Sequence, residues 1–133
     1  MIPNEILQSL RSYFFVMAGA AFGGLLRYIV ADLVQKNSKI IFPFGTLSVN
    51  IAGSFLIGLI IFILGEREII TPEVRLFLTV GLCGGFTTFS TFSYETLMLF
   101  QEAEFLYAAI NIVLNVVLSI TAIYLAYLLS KIL

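Results

Sequence analysis

Gly81-Leu82-Cys83-Gly84-Gly85-Phe86-Thr87-Thr88-Phe89-Ser90-Thr91-Phe92-Ser93-Tyr94-Glu95 lies inside an apolar stretch that runs from about Val74 to Phe100. That stretch otherwise reads as a membrane-spanning helix. The insert carries three glycines, five Thr or Ser hydroxyls and one carboxylate. Unpaired backbone in hydrocarbon is costly, so irregular chain at that depth survives only where it is buried in protein or lines a wet cavity or an ion site. The chemistry is expected here.

The rest of the chain supports a membrane setting. It has 133 residues, of which 60% are hydrophobic, and a mean hydropathy of +1.06. A soluble domain of this size cannot hide that much apolar surface. The formal net charge of −1 offers no basic field for nucleic acid. Histidine is absent, which removes the commonest proton relay and metal ligand. The single cysteine, Cys83, makes neither an intrachain disulfide nor a zinc site, and reads as a small packing residue. Arg11 followed by an apolar run and by Ala18-Gly19-Ala20 has the outline of a signal peptide. The run continues to Val34, so a retained helix is expected.

Four segments reach the roughly 20 apolar residues that a span needs: about 12–34, 44–64, 74–100 and 105–129. They predict an all-α integral membrane protein occupying residues 1–133 as one channel-sized domain. The connector 101–104 is so short that the third and fourth helices must be antiparallel neighbours. Thr71-Pro72-Glu73 reads as a helix start, with Thr at the N-cap, Pro in the first turn and an acid beside it. Arg11, Arg67, Arg75 and Lys131 fall on one side, against Lys36 and Lys39 on the other, with Arg27 near them. So weak a positive-inside bias permits insertion both ways round, and with it an antiparallel homodimer. Gly19 and Gly23, Ala20 and Gly24, and Gly81 and Gly85 repeat the small-residue spacing of closely packed helices, within one chain or between two.

Polar residues recur at membrane depth. Arg27 sits inside the first apolar run and faces a cavity or partner, or else snorkels to the interface. Thr46, Asn50 and Ser54 share one face of the second helix. Asn50 either donates to an ion or bonds a neighbouring helix. Tyr107, Asn111, Asn115 and Ser119 form a stripe on the fourth, which reads better as a polar pathway than as packing glue. Phe89 and Phe92 lie on one face among Thr88, Ser90, Thr91 and Ser93. Phenylalanines so spaced are ordinarily core, but a ring edge carries positive potential and is able to receive an anion. Glu95, near the helix end, either snorkels or gates, relays a proton or binds a cation. The glycines at 81, 84 and 85 permit the helix to open, and carbonyls freed there, with Thr87, suit a hard cation such as Na⁺. No nucleotide loop, no nucleophile with its base and no metal cluster is present, so no enzyme and no organic cofactor are expected.

At these residues the chain resembles the CrcB/Fluc family of fluoride channels. The likeness is carried by Gly23-Gly24-Leu25-Leu26-Arg27-Tyr28, by Pro43 to Phe55, by Gly81 to Glu95 and by Asn111-Ile112-Val113-Leu114-Asn115. The resemblance implies an antiparallel, dual-topology homodimer in the plasma membrane, with two fluoride pathways and a broken third helix. It implies that Phe89 and Phe92 present ring edges to fluoride, that Asn50 donates to it, and that Thr88, Ser90 and Thr91 belong to the same route. Tyr107, Asn111 and Asn115 match the family's fourth-helix track, Glu95 a pore-associated glutamate, and Arg27 a vestibule arginine. Gly84 and Thr87 match positions whose carbonyls hold a structural Na⁺ at the dimer interface. The implied activity is passive export of fluoride.

Two rivals remain. A small dual-topology multidrug or cation exporter would carry its membrane glutamate in the first helix, where this chain has Arg27, and would favour tryptophan, which is absent. A non-transporting membrane subunit would have little use for the polar stripes.

Overall fold

Apolar segments in lipid must satisfy their backbone polar groups internally, and here each does so as a helix. The computed structural model describes residues 3–133. Its four long helices are Asn4–Lys36, Phe44–Gly65, Pro72–Gln101 and Phe105–Ile132, each long and apolar enough to cross a membrane. The first starts at Asn4, ahead of the expected Ser12, because no breaker follows Pro3. This added polar turn carries Arg11, which pairs with Glu73 at 3.4 Å. Thr71 caps the third helix as expected, its Oγ1 accepting from Val74 N at 3.3 Å. The second helix ends in π-helical turns over Ile60–Gly65, and the third contains them over Phe77–Cys83.

Small residues set the packing. The first and third helices meet glycine to glycine. A Cβ placed on Gly81 would lie 2.8 Å from Gly19 Cα, and one on Gly85 would lie 2.7 Å from Ala20 O. The two small-residue motifs thus dock on each other within one chain. The second and fourth helices share a further extensive interface, where Gly58 faces Ala126 and Ala108, Ala122 and Ala126 are buried. Leu25, Leu106, Ile120 and many other large apolar side chains point outward. Such an outer surface belongs in lipid, and the chain is a multi-pass membrane protein.

The turn between the third and fourth helices is tight. Glu104 N donates to Leu99 O at 2.8 Å, and Ala103 takes the left-handed conformation at φ 61°. This conformation costs a Cβ-bearing residue about 1–2 kcal/mol. Ala103→Gly is therefore expected to stabilise the fold by about 1 kcal/mol, read as a higher unfolding midpoint in detergent. An unchanged or lower midpoint contradicts that strain.

Candidate functional site

The third helix is interrupted at two β-branched residues. Thr87 (φ −87°, ψ 158°) and Thr88 (φ −153°, ψ 116°) are extended, and the helix resumes at Phe89. The glycines do not open it, contrary to expectation: none has positive φ, and Gly81 and Gly85 serve close packing instead. Thr88 caps the resumed helix, its Oγ1 accepting from Thr91 N at 3.2 Å and donating to Thr91 Oγ1 at 3.0 Å. Asn50 repairs the exposed backbone from the second helix. Its Oδ1 accepts from Thr88 N at 2.8 Å and its Nδ2 donates to Thr88 O at 3.2 Å.

This repair has a consequence for two carbonyls. In a continuous helix Thr88 N would serve Gly84 O, and Thr91 N would serve Thr87 O. Those amides are diverted to Asn50 Oδ1 and Thr88 Oγ1. Gly84 and Thr87 line one cavity of about 370 Å³, together with Asn50, Phe89, Phe92 and Asn115. The oxygen donors released there are chemically suited to a hard monovalent cation. Phe89 and Phe92 stand with ring centroids 5.4 Å apart at 56°. Phe92 is buried, whereas Phe89 is 77% exposed.

The amides form a chain across the bundle. Asn50 Nδ2 donates to Asn115 Oδ1 at 2.8 Å, and Asn115 Nδ2 donates to Asn111 Oδ1 at 2.9 Å and to Asn111 O at 3.0 Å. Asn111 Nδ2 donates to Thr96 Oγ1 at 2.9 Å, which donates onward to Phe92 O at 2.7 Å. Both Asn50 amide hydrogens thus have partners inside the chain. Asn111 is fully buried, so the lower part of the fourth-helix stripe is an interior hydrogen-bond spine.

A second cavity of about 340 Å³ lies on the other side of the break and shares Thr88 with the first. Arg27, Thr46, Thr91 and Glu95 line it. Glu95 Oε1 accepts from Thr46 Oγ1 at 2.8 Å. Arg27 Nε and Glu95 Oε2 are buried without a hydrogen-bond partner among the described residues, and the two side chains form no ion pair with each other. Arg27 therefore faces a cavity, and Glu95 is held inward by Thr46 instead of reaching for the interface.

Three candidates sit apart from the others. Tyr107 lies in an apolar groove, its ring 6.1 Å from that of Phe42 at 67°. Ser90 is exposed, 3.4 Å from Thr88 Oγ1. Asn111 lines neither cavity. The partners Thr46, Thr96 and Gln35 are not among the expected site residues. Thr46 had a sequence signal, its four-residue spacing from Asn50. Thr96 and Gln35 had none, because their bonds join different helices.

Residues 14–127 match the family described as CrcB-like protein, Camphor Resistance (CrcB). Among relatives, the "Fluoride-specific ion channel FluC" of Shewanella halifaxensis (strain HAW-EB4) is 48% identical over 84% of this chain and 89% of its own length. The protein of that name from Elusimicrobium minutum (strain Pei191) is 42% identical over 92% of this chain and 96% of its own. That from Methylocella silvestris is 43% identical over 86% and 89%. The match spans all four membrane helices and both cavities around the break, and the chain belongs to the CrcB family.

Proposed function

We propose that this chain conducts fluoride passively across the plasma membrane as an antiparallel, dual-topology homodimer. The observation that carries the reading is the pair of cavities meeting at Thr88, with hydroxyls and a guanidinium on one side and two phenyl rings on the other. The names of the relatives point the same way. Fluoride holds its water tightly, so releasing it from bulk requires several donors at once. Arg27 supplies attraction in the outer cavity. Thr91 accepts from Thr88 and keeps its own hydroxyl hydrogen for an anion. Phe89 and Phe92 offer ring edges beyond, weak enough to let the ion go. Asn50 donates while holding the break, so an ion there shares its amide with Thr88 O and Asn115 Oδ1.

The dimer reading rests on exposure. Phe89, Gly84 and Ser90 face outward at membrane depth, and polar backbone facing lipid needs cover. A second copy inserted the other way provides it. A structural Na⁺, held by the carbonyls of Gly84 and Thr87, would offset the anion's self-energy from outside the pathway. The diverted amides of Thr88 and Thr91 support that assignment.

Ion efflux from liposomes, loaded with fluoride or with chloride at symmetric pH, tests the reading. Voltage-driven fluoride loss with chloride retained is expected. No fluoride loss from verified, folded dimers overturns it. Phe89→Ile and Phe92→Ile, made separately, are each expected to slow efflux at least tenfold, about 1.4 kcal/mol of barrier, with the dimer intact. Unchanged rates in both would favour a role for the rings in packing alone. Reporters fused to the C-terminus are expected to signal from both sides of the membrane, and a one-sided signal sinks the dual topology.

A further inference from the structure

Gln35, at the end of the first helix, makes two bonds to the start of the second. Its Oε1 accepts from Gly45 N at 3.1 Å and its Nε2 donates to Phe42 O at 3.2 Å. The second helix begins at Phe44 after Pro43, and no side chain of its own caps it. Its early amides therefore need a partner from elsewhere. Gln35 fills the role of an N-cap from a neighbouring helix. The contact is close, since a Cβ on Gly45 would run into the Ala31 carbonyl. Phe42, whose carbonyl takes the second bond, is 2% exposed and plugs the bundle end. Both ends of the Gln35 amide are thus fixed to parts of the chain that have no slack.

The residue after Gly45 is Thr46, whose hydroxyl holds Glu95. Gln35 and Glu95 together line the Arg27 cavity and also the neighbouring one of about 240 Å³ that reaches Glu102. We propose that Gln35 is a positioning residue for conduction: by clamping the first turn of the second helix, it sets Thr46 and so fixes where the Glu95 carboxylate stands in the Arg27 cavity. Thr46 alone does not determine its own depth, because a helix start without a cap frays. The proposal rests on the conducting function inferred above.

A double-mutant cycle between Gln35→Met and Thr46→Val tests it, with fluoride efflux from liposomes as the readout and dimer content checked by gel filtration. Wild-type efflux is measured first, and its absence would overturn the function reading and with it a positioning role in conduction. With wild type active, each single variant is expected to slow efflux roughly tenfold, the scale of one lost positioning hydrogen bond. The double variant is expected to be no slower than the slower single, because both act through the same carboxylate. Multiplying effects, or wild-type rates in Gln35→Met, overturn the proposal. If Gln35→Met yields no folded dimer, Gln35→Glu keeps the acceptor for Gly45 N, loses the donor to Phe42 O and sets a carboxylate oxygen against that carbonyl, and the cycle is read by the same criterion. A merely structural role for Gln35 would lower the unfolding midpoint equally in both Thr46 backgrounds and leave the two rate effects independent.

Discussion

Asn50→Ala is expected to abolish measurable fluoride efflux, a fall of at least about a hundredfold, and to reduce the yield of folded protein. Asn50 satisfies three groups at once: Thr88 N, Thr88 O and Asn115 Oδ1. Alanine takes away the partner of all three at membrane depth. Each stranded group costs about 1–3 kcal/mol, so two groups left without relief cost about 2–6 kcal/mol, a range that spans the roughly 2.7 kcal/mol that a hundredfold rate change represents. Thr87 N keeps its bond to Cys83 O at 3.0 Å, whereas the peptide groups of Thr88 rest on Asn50. Without Asn50, Thr88 N would return to Gly84 O and close the break, removing the carbonyl proposed for Na⁺. Asn50→Asp is the informative companion. It keeps the acceptor for Thr88 N but loses both donors, and is expected to fold better than alanine while still failing to conduct. Efflux in Asn50→Ala within tenfold of wild type would show that the break does not depend on this amide.

Gly81→Val is expected to remove nearly all folded protein from detergent extracts, whereas Gly24→Ala is expected to leave it within experimental scatter. Gly81 and Gly24 both lie in small-residue motifs, and the sequence does not tell them apart. The structure does. A Cβ on Gly81 meets Gly19 Cα at 2.8 Å and Val16 O at 2.8 Å. Those are backbone atoms and have no rotamer by which to retreat. Moving the first helix away would forfeit the glycine-to-glycine contact along its length, with Gly19, Gly23 and Gly85 all losing their partners. In lipid no hydrophobic gain holds helices together, so this close approach is the main attraction between them. A Cβ on Gly24 meets nothing within 4 Å. Gel filtration of the two variants beside wild type reads the difference, and a wild-type elution peak of normal height from Gly81→Val would contradict the docking of the first helix on the third.

Sequence alone determined the number of helices, the approximate bounds of the last three and the polar segment within which the third is interrupted. Those follow from hydropathy and from polar residues that lipid does not tolerate, both properties of local composition. It also gathered Asn50, Thr88, Phe89, Phe92, Asn115, Arg27 and Glu95 as residues needing an explanation. The cause of the break was not legible. Glycine spacing pointed to flexibility at 81–85, yet Gly81 and Gly85 serve helix contact, and the chain leaves the helix at Thr87 and Thr88, where Asn50, 38 positions from Thr88 in sequence, offers the Thr88 backbone a partner. Nor did periodicity divide the fourth-helix stripe into a buried spine at Asn111 and Asn115 and a tyrosine turned into an apolar groove. Four-residue spacing says that side chains share a face, and the neighbouring helix decides what that face meets. Gln35, at the edge of a polar connector, carries no sequence signal, and its role comes from the start of the second helix resting on it. Composition in a membrane chain fixes what must be buried. Which donor satisfies which acceptor depends on distances between helices, and these are set only when the small residues have docked.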